Sequence, residues 1–346
     1  MSTITFILPD LIKAICHKNI EHQYSFLLKL LAKSAIDKPI SILGYSNPGQ
    51  TNPSQINPEQ LLPEQSIPEQ SINIQIAAAM GVNTPSHELP IAAIENGMPG
   101  KENEWVCIVS PTIISPNRDH LALDQYAGFD LTADEINHFN AEFNDYFIDD
   151  GIRFSLSSSG RWLCHSDEEF DVALLQPKAI AGKNIATYIP QGNRGARWRK
   201  IFNDIQMLLH HSSTNKKRYT NKKPEFNSLW FWGGGSSNNI ESDKKLLVYS
   251  SNCFATGLAK IVNAEENALG CKTEYSSTRD TVIVANDQSE VWENIDPLWF
   301  EKAWHSLKQN NVDRVTFVFD ANKKFHVAKK DLFKFWRNKN SLGSFI

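Results

Sequence analysis

The sequence predicts an α/β fold: a doubly wound, mostly parallel sheet with an inserted smaller α/β unit. Three observations carry that expectation. From residue 244 onward, apolar strand-like runs alternate with helical spacing: KKLLVYS then CFATGLAKIV, TVIVAND then PLWFEKAWHSLKQNN, and RVTFVFD followed by a short FHVAK. Such alternation builds parallel sheets, because a crossover helix must return the chain before the next strand can run the same way. A further apolar run, TFILP, lies near the N-terminus and stops at Pro9-Asp10. It is too short to span a bilayer and reads as a first core strand. Residues 104–183 break the pattern with short paired strands around a single helix.

Taken in order, Leu11 to Lys33 has helical spacing, with Ile15, Phe26, Leu27, Leu30 and Leu31 as core positions. Residues 46–72 change character. Pro58-Glu59-Gln60, Pro63-Glu64-Gln65 and Pro68-Glu69-Gln70 recur every five residues, after a related Pro53-Ser54-Gln55. Proline at that density opposes regular structure, and the segment has little apolar surface to bury, so it reads as a mobile surface loop. WVCIVSPTII and HLALD are then strands, and Thr132 with Glu135 three residues on is a capping box opening a helix to about Phe147. Gly151 stops that helix, IRFSL and GRWLCH form a hairpin, and Gly182 marks the exit. The expected division is a core of 1–103 with 184–346, and an inserted unit of 104–183. A terminal helix, DLFKFWRN, closes the chain.

Composition bounds the function. Hydrophobic residues make up 41% and charged residues 21% of 346, an ordinary globular balance. A formal net charge of -4 gives no basis for a nucleic-acid partner. The five cysteines are widely spaced with no C-x-x-C pair, so neither a disulfide framework nor a cysteine zinc site is expected. The N-terminal segment lacks a basic leader and a cleavage site, and no other run approaches transmembrane length, so a cytoplasmic location without membrane contact is expected.

Residues 203–235 are chemically the richest. Trp198 to His211 is an amphipathic helix whose stripe is Trp198, Ile201, Phe202, Ile205, Leu208 and Leu209. Asn203, Gln206 and His210 share another face, suited either to lining a site or to a buried polar contact. Lys216, Lys217, Arg218, Lys222 and Lys223 form a basic loop, preceded by Arg194, Arg197, Arg199 and Lys200. NSLWFW then runs into Gly233, Gly234 and Gly235. Consecutive glycines let backbone N–H groups approach a ligand that a Cβ would block, although a buried strand before a turn has the same pattern. Past the carboxyl ends of the parallel strands, Asp10, Asn286, Asp287 and Asp320 stand where functional side chains gather, or where turn residues do.

Several of these segments resemble a known family. NDIQMLLHH, Asn215 to Arg218, NSLWFWGGG and KKDLFKFWRN are similar to the RpfE-type proteins, described as relatives of 2,3-bisphosphoglycerate-independent phosphoglycerate mutase in the alkaline-phosphatase-like superfamily. RDHLALDQYAGFDLTADE, with Asp124, Ala127 and Gly128, resembles a stretch of archaeal-type mutases. The resemblance implies two divalent metals held by Asp and His, and a Ser or Thr nucleophile. Here the ligand set departs from the family. After residue 236 only His305 and His326 occur, and the sole Asp-His dipeptide is Asp119-His120, in the inserted region.

Three functions follow from this reading. The first is a catalytically degenerate relative that binds a phosphate-bearing small molecule in a regulatory role, with no cofactor. Its cleft would comprise Arg161, Asn203, Gln206, His210, Asn215, Arg218, Asn227 and the three glycines. The second is an active phosphomutase or phosphatase using manganese or zinc on Asp10, Asp287, Asp320 and His326, or a metal-free variant with His210 as acid/base. The third is a protein-interaction module or homodimer, docking through Trp292, Trp299, Trp304 and Trp336.

Overall fold

A computed structural model describes residues 2–9, 11, 15, 23–36, 68–82, 89–97, 104–118, 120–168, 175–189, 194–269, 275, 277–285, 295–320 and 323–333. In chain order these residues form β1 (Thr3–Ile7), α1 (Ser25–Lys33), β2 (Ala35–Ile36), α2 (Pro68–Ala79), α3 (Ile91–Asn96), β3 (Trp105–Asn117) and β4 (His120–Gln125). There follow α4 (Ala133–Tyr146), β5 (Ile152–Leu156), β6 (Trp162–Ser166), α5 (Arg194–His211), α6 (Ser213–Thr220) and β7 (Ser228–Gly235). The last are β8 (Leu246–Ser250), α7 (Cys253–Ile261), β9 (Glu265–Asn267), β10 (Asp280–Val284), α8 (Glu301–Lys308), β11 (Arg314–Asp320) and β12 (Lys323–Ala328). The chain divides into two compact units, Met1–Asn83 with Glu241–Ile346, and Thr84–Ile240.

The first unit holds a seven-stranded sheet in the order β2-β12-β11-β1-β10-β8-β9. β1 runs parallel to both β10 and β11, and β10 and β9 run parallel to β8, whereas β12 is antiparallel to its neighbours β11 and β2. The mixed α/β, largely parallel architecture is as the strand–helix alternation requires. Its central strands are apolar on both faces, the mark of a sheet covered on both sides. Phe6 shows this locally: it stands opposite Ile283 and Phe317, stacks on the Phe317 ring at 5.1 Å, and meets Phe300 edge-on at 5.1 Å. Trp299 and Phe300 are fully buried in the same cluster, so they are core rather than docking surface. Of the other tryptophans proposed for docking, Trp292 and Trp336 lie outside the described residues. The helix of Trp299 begins with a π-helical turn, Asp296–Phe300, and its Asp296 caps α1 from a distance. The carboxylate accepts from Phe26 N at 3.0 Å and Leu27 N at 2.8 Å.

The second unit is antiparallel. Its strands run β4-β3-β6-β5, and β7 pairs with β3. The hairpin β5–β6 and the capping box at Thr132 form as the sequence predicts. The boundary falls elsewhere. Strand β7 joins β3 over Val106–Thr112, so the tryptophan strand lies in the inserted unit and not in the parallel sheet. Strand pairing across more than a hundred residues leaves no local trace in sequence. The inserted unit therefore spans Thr84–Ile240 instead of 104–183.

Two further expectations change. Residues 213–220, read as a basic loop, form helix α6, capped by Ser212 Oγ accepting from Asn215 N. The third PEQ repeat opens helix α2, with Pro68 as its first residue. Proline is tolerated there because the first-turn N–H has no intrahelical partner to lose. The preceding PEQ repeats and the end of the terminal helix lie outside the described residues.

Candidate functional site

The glycine turn is built for packing. A Cβ on Gly234 would sit 2.2 Å from Cζ2 of Trp105, one on Gly235 2.7 Å from Cβ of Pro90, and one on Gly233 3.1 Å from Cβ of Ile91. Gly233 also has φ +63°, a left-handed conformation that disfavours other residues. What approaches the glycine backbone is thus the Trp105 ring and the start of α3. A register shift between Val106 and Ile108 on the facing strand marks the same spot. The closeness foreseen for a ligand belongs to the protein's own side chains.

The next three residues form a framework. Arg218 is only 1% exposed. Its guanidinium donates to Pro224 O at 3.0 Å, to Glu135 Oε1 at 2.8 Å and to Phe129 O. Glu135 is the second half of the capping box on α4: its Oε2 accepts from Thr132 N at 2.9 Å while Glu135 N donates to Thr132 Oγ1. Burial pushes the Glu135 carboxyl up. The Thr132 backbone N–H, the charge and hydrogen bond of Arg218, and the Thr132 hydroxyl outweigh that and hold it below its ordinary value. Asn215 is buried too, its amide donating to Leu209 O and Phe226 O and accepting from Phe226 N. Asn227 clamps the edge of β3, accepting from Ile114 N at 2.9 Å and donating to Ile114 O at 2.8 Å. Asn215 and Asn227 bond backbone groups, and Arg218 bonds two backbone carbonyls and the Glu135 carboxylate.

Of the remaining predicted residues, Arg161 Nε donates to Glu95 Oε2 at 3.1 Å. Asn203 and His210 are exposed on α5, Gln206 is half-buried between them, and the His210 ring meets that of His211 edge-on at 5.1 Å. The basic residues divide. Arg197 pairs with Glu168 and the Asp150 carbonyl, Lys200 with the Asp150 carboxylate at 3.4 Å, and Lys223 with Glu135 at 3.6 Å. Lys216, Lys217 and Lys222 are exposed and make no ion pair among the described residues. They lie on and just beyond α6, past the turn at Ser212 where the α5 row ends. Asn203, Gln206 and His210 lie on α5 and Lys216 and Lys217 on the helix that follows it, whereas the glycines pack on Trp105, Pro90 and Ile91, Arg161 pairs with Glu95 and Asn227 bonds Ile114.

For the metal reading, Asp10, Asn286 and Asp287 lie outside the described residues, as does the Asp320 side chain at the end of β11. His326 sits in the β11–β12 ladder opposite Thr316. Among the described residues, no group of three or more His, Cys, Asp or Glu is placed to hold a metal ion.

One constellation was missed by the sequence reading. His165 Nδ1 lies 2.8 Å from Glu104 Oε1, and its Nε2 lies 2.8 Å from Ser155 Oγ. Arg153 Nη2 donates to the same Glu104 oxygen at 2.9 Å. The signal was latent in the IRFSL/GRWLCH hairpin. A register pairing Arg153 with His165 puts Ser155 and His165 on one face, two residues apart along the diagonal. Glu104 arrives only through the pairing of β3 with β6, which no local pattern announces.

No protein-family model and no curated protein matches this sequence. Among solved structures, the chain is similar to a cofactor-independent phosphoglycerate mutase from Thermoplasma acidophilum, at TM-score 0.46 and 14% identity, covering 94% of this chain and 89% of that one. It is also similar to the PH0037 protein from Pyrococcus horikoshii, at TM-score 0.47 and 12% identity, covering 94% of this chain and 86% of the other. No helix among the described residues is long and apolar enough to cross a membrane.

Proposed function

We propose that this chain is a phosphoglycerate-mutase-like protein of the RpfE type that binds a phosphate-bearing small molecule in a regulatory role, without mutase turnover. The observation that carries the reading is the α5–α6 corner. Asn203 and His210 stay exposed there, although the opposite stripe of α5 is buried. Lys216 and Lys217 lie exposed just past them with no carboxylate partner among the described residues. Amide, imidazole and ammonium groups are the donors a phosphate monoester needs, and hydrogen bonds to an oxyanion are stronger than neutral ones. Arg218, expected to grip the anion, instead holds the helix that presents these groups. The site therefore shifts from a glycine-lined cleft to this surface corner.

The test is titration calorimetry of the full chain with inorganic phosphate and with phosphoglycerate. Replacing Lys216 and Lys217 together by Ala is expected to weaken binding by about tenfold, roughly 1.4 kcal/mol, with unfolding unchanged. Affinity that ignores both this double variant and His210→Ala would remove the corner from consideration. Elemental analysis after dialysis against manganese or zinc bears on the metal-dependent alternative: about two retained ions per chain would restore the phosphomutase reading.

A further inference from the structure

We propose that Ser155, His165 and Glu104 form a nucleophilic relay that hydrolyses small carboxylic esters, with Ser155 Oγ as the attacking atom. The argument starts from the ladder. His165 stands opposite Arg153 on β5 and opposite Val106 on β3. Ser155 lies two residues beyond Arg153, and Glu104 two residues before Val106. Side chains two apart along a strand share a face, so hydroxyl, imidazole and carboxylate fall in a diagonal line across three neighbouring chain segments. The distances, 2.8 Å on each side of the ring, are hydrogen bonds and not mere proximity.

The order of the groups matters more than their presence. A carboxylate only accepts, so Nδ1 of the neutral ring carries the proton and donates it to Glu104. That tautomer leaves the Nε2 lone pair facing Ser155, whose O–H donates to it. Nucleophile, base and orienting carboxylate are thus in the sequence that activates a hydroxyl, a constellation recognised by geometry and not by position in the chain. The environment differs by group in the required sense. His165 is 9% exposed, which holds its orientation, while Ser155 is only half-buried and can be reached. Arg153 holds the Glu104 carboxylate by the same oxygen that faces the imidazole. A purely structural bridge between strands would need none of this order, since the backbone ladders already join β3, β5 and β6.

In the reaction, Ser155 Oγ adds to the ester carbonyl carbon while its proton moves to His165 Nε2. Collapse of the tetrahedral adduct breaks the carbon–oxygen bond to the alcohol, which leaves with that proton. Water then adds to the acyl–Ser155 ester, passing its proton through the same nitrogen, and the acid departs as Ser155 recovers its hydrogen. Glu104 touches no substrate and acts as a positioning residue.

The test treats the full chain with a fluorophosphonate, which forms an Oγ–phosphorus bond, expels fluoride and loses the serine proton. Peptide mass spectrometry should find one adduct, on Ser155, absent in Ser155→Ala. His165→Asn should slow its formation by about a hundredfold or more, the contribution of a general base. Because His165 is largely buried, Ser155→Cys provides a second readout on an intact ring. The thiol introduced there should alkylate with iodoacetamide at least about tenfold faster than a small free thiol, being beside a base. Glu104→Gln should lower kcat on p-nitrophenyl acetate with KM unchanged, and Glu104→Asp should restore part of it. An adduct that persists in Ser155→Ala, no adduct on the wild type, or a thiol of ordinary reactivity in Ser155→Cys would each overturn the relay. Phosphate binding is independent of these outcomes, so Ser155→Ala should leave it untouched.

Discussion

The two units of this chain assign opposite meanings to polar residues. In the parallel sheet, β1, β8 and β10 are buried on both faces by apolar side chains, and the polar group that matters, Asp296, caps a helix remote in sequence. In the antiparallel unit, residues with the chemistry of a site, Arg218, Asn215 and Asn227, are framework. A plain hairpin there, with Glu104 from the segment before β3, carries an ordered Ser–His–Glu line. The contrast follows from exposure. A doubly covered parallel sheet leaves little room for polar side chains within its strands, and those its central strands bury, Thr5 and Thr281, are small. A smaller antiparallel sheet has to anchor helices and loops with long polar side chains, and their donors end up on backbone carbonyls.

The sharpest way to break this comparison is Arg218→Ala. It removes three guanidinium contacts and leaves Glu135 with only the longer Lys223 contact, at 3.6 Å, as an ion pair among the described residues. Loss of one member of such a pair costs about 3 kcal/mol or more, which urea unfolding would register. The same substitution should flatten the acid response. Glu135 is held below its ordinary value, so the stability it contributes is present above the unfolded carboxyl's pKa of about 4.3 and is lost as pH falls through the folded value. An Arg218→Ala chain as stable as the wild type would return that residue to ligand duty. Gly234→Ala comes next. Its Cβ has no space beside Trp105, and overpacking of this kind costs about 1–3 kcal/mol. A glycine that merely faced a ligand would tolerate the change and lose binding instead. The smallest effect is expected in the parallel unit. Asp296→Ala should cost about 1 kcal/mol as a lost helix cap, read as an earlier urea midpoint. Part of the cap's value is already offset, because burial raises the Asp296 carboxyl above its ordinary value, against the pull of the Phe26 and Leu27 N–H groups and Lys29.

Cysteines sharpen the same contrast. Widely spaced in sequence, Cys107 and Cys164 stand directly opposite one another on β3 and β6, both buried. Burial, reinforced by Cys164, pushes the Cys107 thiol well above its ordinary value. Both thiols lie in the core, whereas Cys253 is exposed.

What the sequence determined by itself is whatever depends on neighbours along the chain. The strand–helix alternation, the Thr132–Glu135 capping box, the β5–β6 hairpin and the amphipathic helix ending at His211 all rest on spacings of two to four residues, and all formed. The tertiary structure alone decided which strands pair. By joining β7 to β3 it moved the tryptophan–glycine strand out of the parallel sheet and turned its glycines towards Trp105, Pro90 and Ile91. By joining β3 to β6 it delivered Glu104 to His165. The physical reason is one of range: backbone dihedrals and side-chain periodicity are local, whereas the partner of a strand edge or a buried guanidinium is chosen by long-range pairing and burial.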